Sequence, residues 1–229
     1  KMNAIAPSLN VPTKRTPMKF KPEPEDPLDM GEEEGEVEEQ SVDKNALCVE
    51  ILMEGFVQSY VDFFYLTHRP DPNPDPNEEG VEREIEVPGE EMLFIRDNLT
   101  RAESARRHGE TTQVYDCYNN LARYFQNVDD SKTGIYFYEK CLEISRLTMD
   151  KLGEMRANHS LGLAHQSINN TSNAIAYHER HLDLAQEVVN SEEQLIANTE
   201  LVKVYRKKAE DLEKENSYRQ AISYHEKCL

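Results

Sequence analysis

The sequence predicts an all-α fold in which pairs of helices repeat along the chain and stack into a helical-hairpin solenoid. One six-residue segment occurs three times in related form, at residues 137–142, 177–182 and 224–229. A second pattern lies upstream in each unit, where a leucine is followed four residues later by a ring-bearing residue: Leu121 and Phe125, Leu161 and His165, and Leu201 and Tyr205. Two such segments in every unit are typical of repeats built from two antiparallel helices.

The third unit is seven residues longer than the others, and the additional residues lie within 207–217. Because seven residues make about two turns of helix, the apolar face keeps its phase. We therefore predict a lengthened first helix and not a longer loop. Ser191 with Gln194, and Ser217 with Gln220, fit capping boxes at helix starts.

Small residues predict where the two helices of each pair cross closely. The paired positions are Ala122 with Gly134 and Gly162 with Ala174; in the third unit Ala221 is present, but Val202 replaces the first small residue. The three repeats are expected at about 111–150, 151–190 and 191–229, the third being truncated.

The residues before the repeats divide into four regions. We expect 1–44 to be a disordered or extended tail, first Pro-rich and then acidic. Residues 45–68 are apolar around most of a helix, which predicts one helix buried on several sides. A Pro-rich acidic linker over 69–89 leads to a helix over 90–109, which would pack on the first repeat. The helices over 45–107 would together cap the N-terminal end of the solenoid.

Charge and cysteine usage limit the classes of function. The formal net charge is -18, from 26 basic and 44 acidic residues. Binding to phosphate backbones depends on Lys and Arg, so we expect neither nucleic acid nor a membrane surface as a partner. The four cysteines form no CxxC pair, and no apolar signal segment opens the sequence. Both observations favour a reduced, cytoplasmic environment.

The sequence contains no glycine-rich nucleotide loop, nucleophile elbow or HExxH motif. We therefore predict no enzymatic activity, no cofactor and no metal. His178 and His181, with His165 in the partner helix, could bind zinc. Repeat packing is the favoured interpretation, because the equivalent positions in the other repeats hold Tyr138, Cys141, His225 and Cys228.

These patterns resemble the tetratricopeptide repeat family over about 111–229, although the family's opening Trp and terminal Pro are missing. The resemblance implies that the first helix of each unit lines a groove for extended peptides or helices. In that register the groove residues are Asn119, Arg123, Gln126, His159, Leu163, Gln166, Thr199, Lys203 and Arg206. The set has three formal positive charges and no carboxylate, so a polar or acidic partner segment would suit it.

Segments at 48–56, 99–105 and 119–125, together with the lengthened helix over 201–221, are similar to a tetratricopeptide family of motile cilia and flagella. The similarity implies a non-catalytic scaffold of the axoneme, in cytoplasm and cytoskeleton, associated with axonemal dynein assembly, transport or docking. The implied partners are proteins: axonemal dynein, docking or intraflagellar-transport components, and microtubule-bound complexes. The alternatives are a cytosolic cargo adaptor or polarity scaffold outside cilia, and a regulatory domain of a longer enzyme.

Overall fold

The computed structural model describes residues 42–70 and 84–228. Every regular element in these ranges is a helix, apart from one isolated β-bridge between Pro70 and Glu84. The helices are α1 (Lys44–Met53), α2 (Val57–Thr67), α3 (Gly89–His108), α4 (Thr111–Asn127), α5 (Ser131–Leu147), α6 (Lys151–Ser167), α7 (Thr171–Glu187), α8 (Ser191–Lys214) and α9 (Tyr218–Glu226). The predicted tail up to residue 41, and residues 71–83 of the predicted linker, lie outside the described residues.

The all-α helical-hairpin prediction is confirmed, since each helix packs mainly against the next one in sequence. The repeated units are α4 with α5, α6 with α7, and α8 with α9. Helices α4 to α7 each have 17 residues, whereas α8 has 24. The seven additional residues of the third unit therefore extend its first helix, as predicted.

The turns after α4, α5, α6 and α7 share one geometry. In each turn the second residue after the helix is left-handed, with φ of 55° to 60°: Asp129, Met149, Asn169 and Val189. The next residue returns its backbone N–H to a carbonyl five positions earlier, which satisfies a helix end in the manner of a Schellman motif. That same residue then caps the next helix with a side-chain oxygen, as Asn190 does for Glu193 at 3.2 Å.

Both predicted capping boxes are wrong. Ser191 is the first helical residue of α8, and Asn190 is the cap. Ser217 does cap α9, but its side chain makes no capping hydrogen bond. The side chain of Asn190, one residue earlier, accepts from the backbone N–H of Glu193 and takes the capping role predicted for the hydroxyl of Ser191.

The helix predicted over 45–68 is two helices, because the chain turns at Gly55 with φ of 83°. Nor is this segment buried on several sides. Leu47, Ile51 and Phe63 enter the core. A larger number of large apolar side chains are exposed: Val49, Leu52, Met53, Val57, Val61, Phe64 and Tyr65. Helix α3 is the main neighbour of this pair, and one helix covers only one face of it.

Helix α3 joins the N-terminal helices to the first repeat. It ends at His108 and is followed by Gly109, a left-handed glycine cap with φ of 76°. One face of the helix is buried through Met92, Ile95 and Leu99, in a core that continues into α4 and α5. None of the described helices combines the length and the apolar character that crossing a membrane would require.

Candidate functional site

The nine residues predicted to line a groove lie on α4, α6 and α8, the first helices of the three repeats. Five of them are exposed: Arg123, Leu163, Thr199, Lys203 and Arg206. The other four are partly buried: Asn119, Gln126, His159 and Gln166. The buried neighbours Leu121, Leu161 and Leu201 hold the same helices against their partners. The core positions thus fix the direction in which the predicted groove positions face.

The structure brings some of the predicted groove residues into contact across repeats. Gln126 of α4 donates to the hydroxyl of Ser167 at the end of α6, at 3.0 Å, and to that of Ser131 at 3.3 Å. Gln166 of α6 lies 3.4 Å from a carboxylate oxygen of Glu200 on α8. These contacts tie neighbouring first helices together along one surface.

The expectation that this surface holds no carboxylate is wrong, because Glu200 contacts Gln166 and Lys203 on it. Its side chain is only 13% exposed, and Lys203 donates to it at 2.7 Å. Burial raises the pKa of Glu200, but the hydrogen bonds from Lys203 and Gln166 outweigh it and hold the pKa below its ordinary value. Glu200 is therefore ionised at neutral pH and neutralises Lys203.

Arg123 and Arg206 are the exposed cations of the predicted surface that have no carboxylate partner among the described residues. Both are exposed, and neither forms an ion pair within residues 42–70 and 84–228. Leu163, 40% exposed, is an apolar contact point on the middle helix. The surface therefore combines two unneutralised guanidinium groups with hydroxyl, amide and limited apolar groups. Such a surface suits an acidic polar segment.

Three histidines of the second repeat gather beneath this surface. One ring nitrogen from each of His159, His178 and His181 lies within 4.8 Å of those from the other two. His178 and His181 are fully buried. Burial, reinforced by the neighbouring His159, lowers the pKa of His178 to about 4, so its ring is neutral at physiological pH. The third histidine is therefore His159 and not His165, whose ring stacks on Tyr177 with centroids 5.2 Å apart.

Sequence reasoning missed a buried carboxylate in the same repeat. Glu154, 8% exposed, accepts hydrogen bonds from Arg146 at 3.3 Å and from Arg180 at 3.2 Å. The equivalent residue in the first repeat is Val114, which is a core residue. A charged residue at a position that is apolar in the neighbouring repeat was the signal that could have revealed this network.

A cavity of about 1190 Å³ lies between the N-terminal helices and the first repeat. Its lining includes Leu66, Ile95 and Phe137 together with an ion pair between Arg69 and Asp130. Pro70 and Ile85 also border it, on either side of residues outside the described ranges.

Stacked helix pairs of this length, with small residues where their helices cross and an exposed first-helix face, define a tetratricopeptide-type solenoid.

No protein-family model matches the chain. Individual proteins do match it. The chain is similar to tetratricopeptide repeat protein 29 of Mus musculus, with 30% identity over 190 residues that cover 78% of this chain. It is also similar to the proteins of that name from Trypanosoma brucei brucei, at 27% identity over 80% of the chain, and from Homo sapiens, at 26% over 78%.

The matched region is only part of those relatives. It covers 40% of the mouse and human proteins and 37% of the trypanosome protein. The present chain therefore corresponds to less than half of each relative's length. The comparison agrees with the resemblance derived from the repeats and the upstream segments.

Proposed function

We propose that this protein is a non-catalytic interaction scaffold that binds other proteins through the first-helix surface of its repeats. The observation that carries the proposal is the exposed pair Arg123 and Arg206, placed on α4 and α8 with the neutralised Lys203–Glu200 pair beside the second. Solenoids of this class present such surfaces as extended binding faces. The three repeats at about 111–150, 151–190 and 191–229 would form the binding part, with α1 to α3 closing its N-terminal end.

The bound segment should be extended or helical and should carry carboxylates. Guanidinium groups form charge-assisted, often bidentate hydrogen bonds with carboxylates, so Arg123 and Arg206 would select acidic positions along the segment. Leu163 on α6, between the two, would contact an apolar residue of the same segment. Asn119, Gln126, Gln166 and Thr199 would supply hydrogen bonds to its backbone.

The similarity to tetratricopeptide repeat protein 29 favours a place in motile cilia or flagella. We infer that the partners are components of axonemal dynein assembly, docking or transport, including intraflagellar transport. A cytosolic cargo adaptor or polarity scaffold outside cilia would use the same surface. A regulatory domain of a longer enzyme is the remaining alternative.

Localisation combined with partner capture tests this proposal. The complete protein, tagged in a flagellated cell, is cross-linked, and its neighbours are identified in isolated axonemes and in cell-body extract. The proposal predicts enrichment in axonemes beside dynein or docking subunits. Enrichment only in the cell body, beside transport factors, would favour the adaptor. Absence from flagella would contradict the ciliary role.

A further inference from the structure

The histidine cluster of the second repeat has the composition of a metal site. His159 comes from α6, and His178 and His181 come from α7. The ring centroids of His159 and His181 are 4.9 Å apart, and those of His159 and His178 are 6.1 Å apart. In all three rings Nδ1 is buried and has no hydrogen-bond partner among the residues that the structure describes. Buried nitrogens without partners are costly, so they indicate an absent ligand.

The partner of the second ring nitrogen of His181 supports this interpretation. Nε2 of His181 lies 2.9 Å from a carboxylate oxygen of Glu193 on α8. The carboxylate accepts this hydrogen bond from Nε2, so Nδ1 is the ring nitrogen left to bind a metal. The side-chain N–H of Gln166 donates to Nε2 of His178 at 2.7 Å, so binding of a metal through Nδ1 of His178 requires the Gln166 amide to rotate and present its oxygen to Nε2. Metal-binding histidines characteristically donate the second ring nitrogen to an acceptor, as His181 does to Glu193.

Repeat packing does not require three histidines here. The first repeat has Asn119, Tyr138 and Cys141 at the equivalent positions, and the third has Thr199, His225 and Cys228. Cys141 fills its position as a buried residue whose thiol donates to the carbonyl of Tyr115 at 3.6 Å. The fold thus accommodates other residues at each position, and only the second repeat has imidazoles at all three.

We propose that His159, His178 and His181 bind one divalent transition-metal ion of the zinc class. Three neutral imidazoles are a known donor set for zinc, with metal–nitrogen distances of about 2.0–2.1 Å. In a tetrahedral site such ligand nitrogens are about 3.3 Å apart, so the present separations of up to 4.8 Å must shorten. His159 is only partly buried and can move towards the other two rings. Water occupies the fourth position in the isolated chain.

The bound ion would stabilise the packing of helices α6, α7 and α8 in the middle of the solenoid. It would link α6 to α7 directly, and Glu193 would extend the link to α8 through His181. The charged groups facing the cluster are Glu193 and Glu200, of which Glu200 is paired with Lys203. The carboxylate of Glu193 therefore remains to offset the positive charge of the bound ion. The site shares His159 and Gln166 with the proposed first-helix surface, but metal binding requires no bound partner.

The test uses the purified chain, stripped of metal with a chelator and titrated with Co²⁺ and then with Zn²⁺. Tetrahedral Co²⁺ gives visible absorption bands that Zn²⁺ displaces. We expect these bands to saturate at one equivalent and the melting temperature to rise with Zn²⁺. The His159→Gln variant should weaken binding at least tenfold, because it removes a ligand from a half-buried position without opening the core. The Glu193→Gln variant should weaken it by about 10- to 100-fold, through the orientation of His181.

The matched control is His225→Gln, which removes an exposed histidine at the position equivalent to His178. It should leave affinity and stoichiometry unchanged. Circular dichroism shows whether each variant keeps its helicity. Because His159 is only half-buried, His159→Gln should keep its fold and can test metal binding even if a variant at His178 unfolds. The proposal is overturned if the parent chain shows no saturable binding, or if His159→Gln binds as tightly as the parent.

Discussion

Ser59 and Glu103 form a two-point contact between α2 and α3. The backbone N–H and the hydroxyl of Ser59 both approach the same carboxylate oxygen of Glu103, at 2.8 and 2.7 Å. Ser59 is 2% exposed, and it lies within the first turns of α2, where backbone N–H groups lack helical partners. Glu103 therefore acts as the cap that α2 does not find in its own sequence.

Replacing Glu103 with Ala should destabilise the protein by about 2–3 kcal/mol, because it leaves the buried N–H of Ser59 without an acceptor. Urea unfolding followed by circular dichroism measures the change. Glu139→Ala is the control, since Glu139 is exposed and forms no ion pair in the described part of the chain. It should change the free energy of unfolding by less than about 0.5 kcal/mol. Equal effects of the two substitutions would contradict the capping role.

The same contact predicts a pH dependence. Burial raises the pKa of Glu103, but hydrogen bonds from Ser59 and Arg107 outweigh it and lower the pKa below the ordinary 4.5. A lowered pKa means that the unfolded chain binds the proton first as pH falls. The stabilisation is therefore complete above pH 4.5 and is lost as pH falls through the folded-state pKa. The stability difference between the parent and Glu103→Gln should accordingly be larger at pH 7 than at pH 3, and a constant difference would refute the assignment.

Gly162 is predicted to be intolerant of a side chain. A Cβ at this position would lie 2.4 Å from Cε1 and 2.6 Å from Nδ1 of His178. Gly162→Ala should therefore cost about 1–3 kcal/mol through overpacking, although alanine favours helix. Thermal unfolding measures the cost. Ser160→Ala, on the same helix and partly exposed, serves as the control and should be nearly neutral.

A double variant separates this crowding from a backbone effect. With His178→Ala as background, the ring that would clash is gone, and Gly162→Ala should no longer destabilise. The interaction energy between the two substitutions should then be at least about 1 kcal/mol. Additive effects would mean that Gly162 is needed for another reason.

Val189 is predicted to be a site of backbone strain. Its φ is 55°, a value unfavourable for a β-branched residue, and its side chain is 80% exposed. Val189→Asn should raise the free energy of unfolding by about 0.5–1 kcal/mol, because Asn tolerates this conformation and little contact is lost. Asn169 already occupies the equivalent position in another turn. Leu195→Asn, at an exposed position inside α8, should not stabilise. A gain there of the same size would mean that replacing an exposed apolar side chain, and not relief of strain, stabilises the protein.

The helix pairs could be predicted because local and repeated signals agree. The 40-residue spacing, the buried leucines and the seven-residue insertion in α8 all follow from periodicity. The break at Gly55 could not be predicted in this way, since apolar residues continue on both sides of it. Periodicity indicates which residues can be buried, but it does not state how much neighbouring surface is available to cover them.

The candidate sites depend on contacts that sequence spacing does not encode. The sequence predicts His165 as the third histidine from its place in the partner helix, whereas side-chain direction brings His159 to His178 and His181. Glu200 likewise lies one helical turn from Lys203 and enters the surface by pairing with it. Both outcomes depend on which face each helix presents, and tertiary packing sets that face.

Charge reversal on the first-helix surface tests the central proposal most directly. Arg123→Glu combined with Arg206→Glu is compared with Lys132→Glu combined with Arg219→Glu, which makes the same change in charge on α5 and α9. Each tagged variant of the complete protein is cross-linked in a flagellated cell, captured and quantified, after its helicity and melting temperature have been checked. We predict that the first pair reduces capture of axonemal partners at least tenfold, and that the second leaves it unchanged. Equal capture by both variants, with folding intact, would contradict binding through this surface.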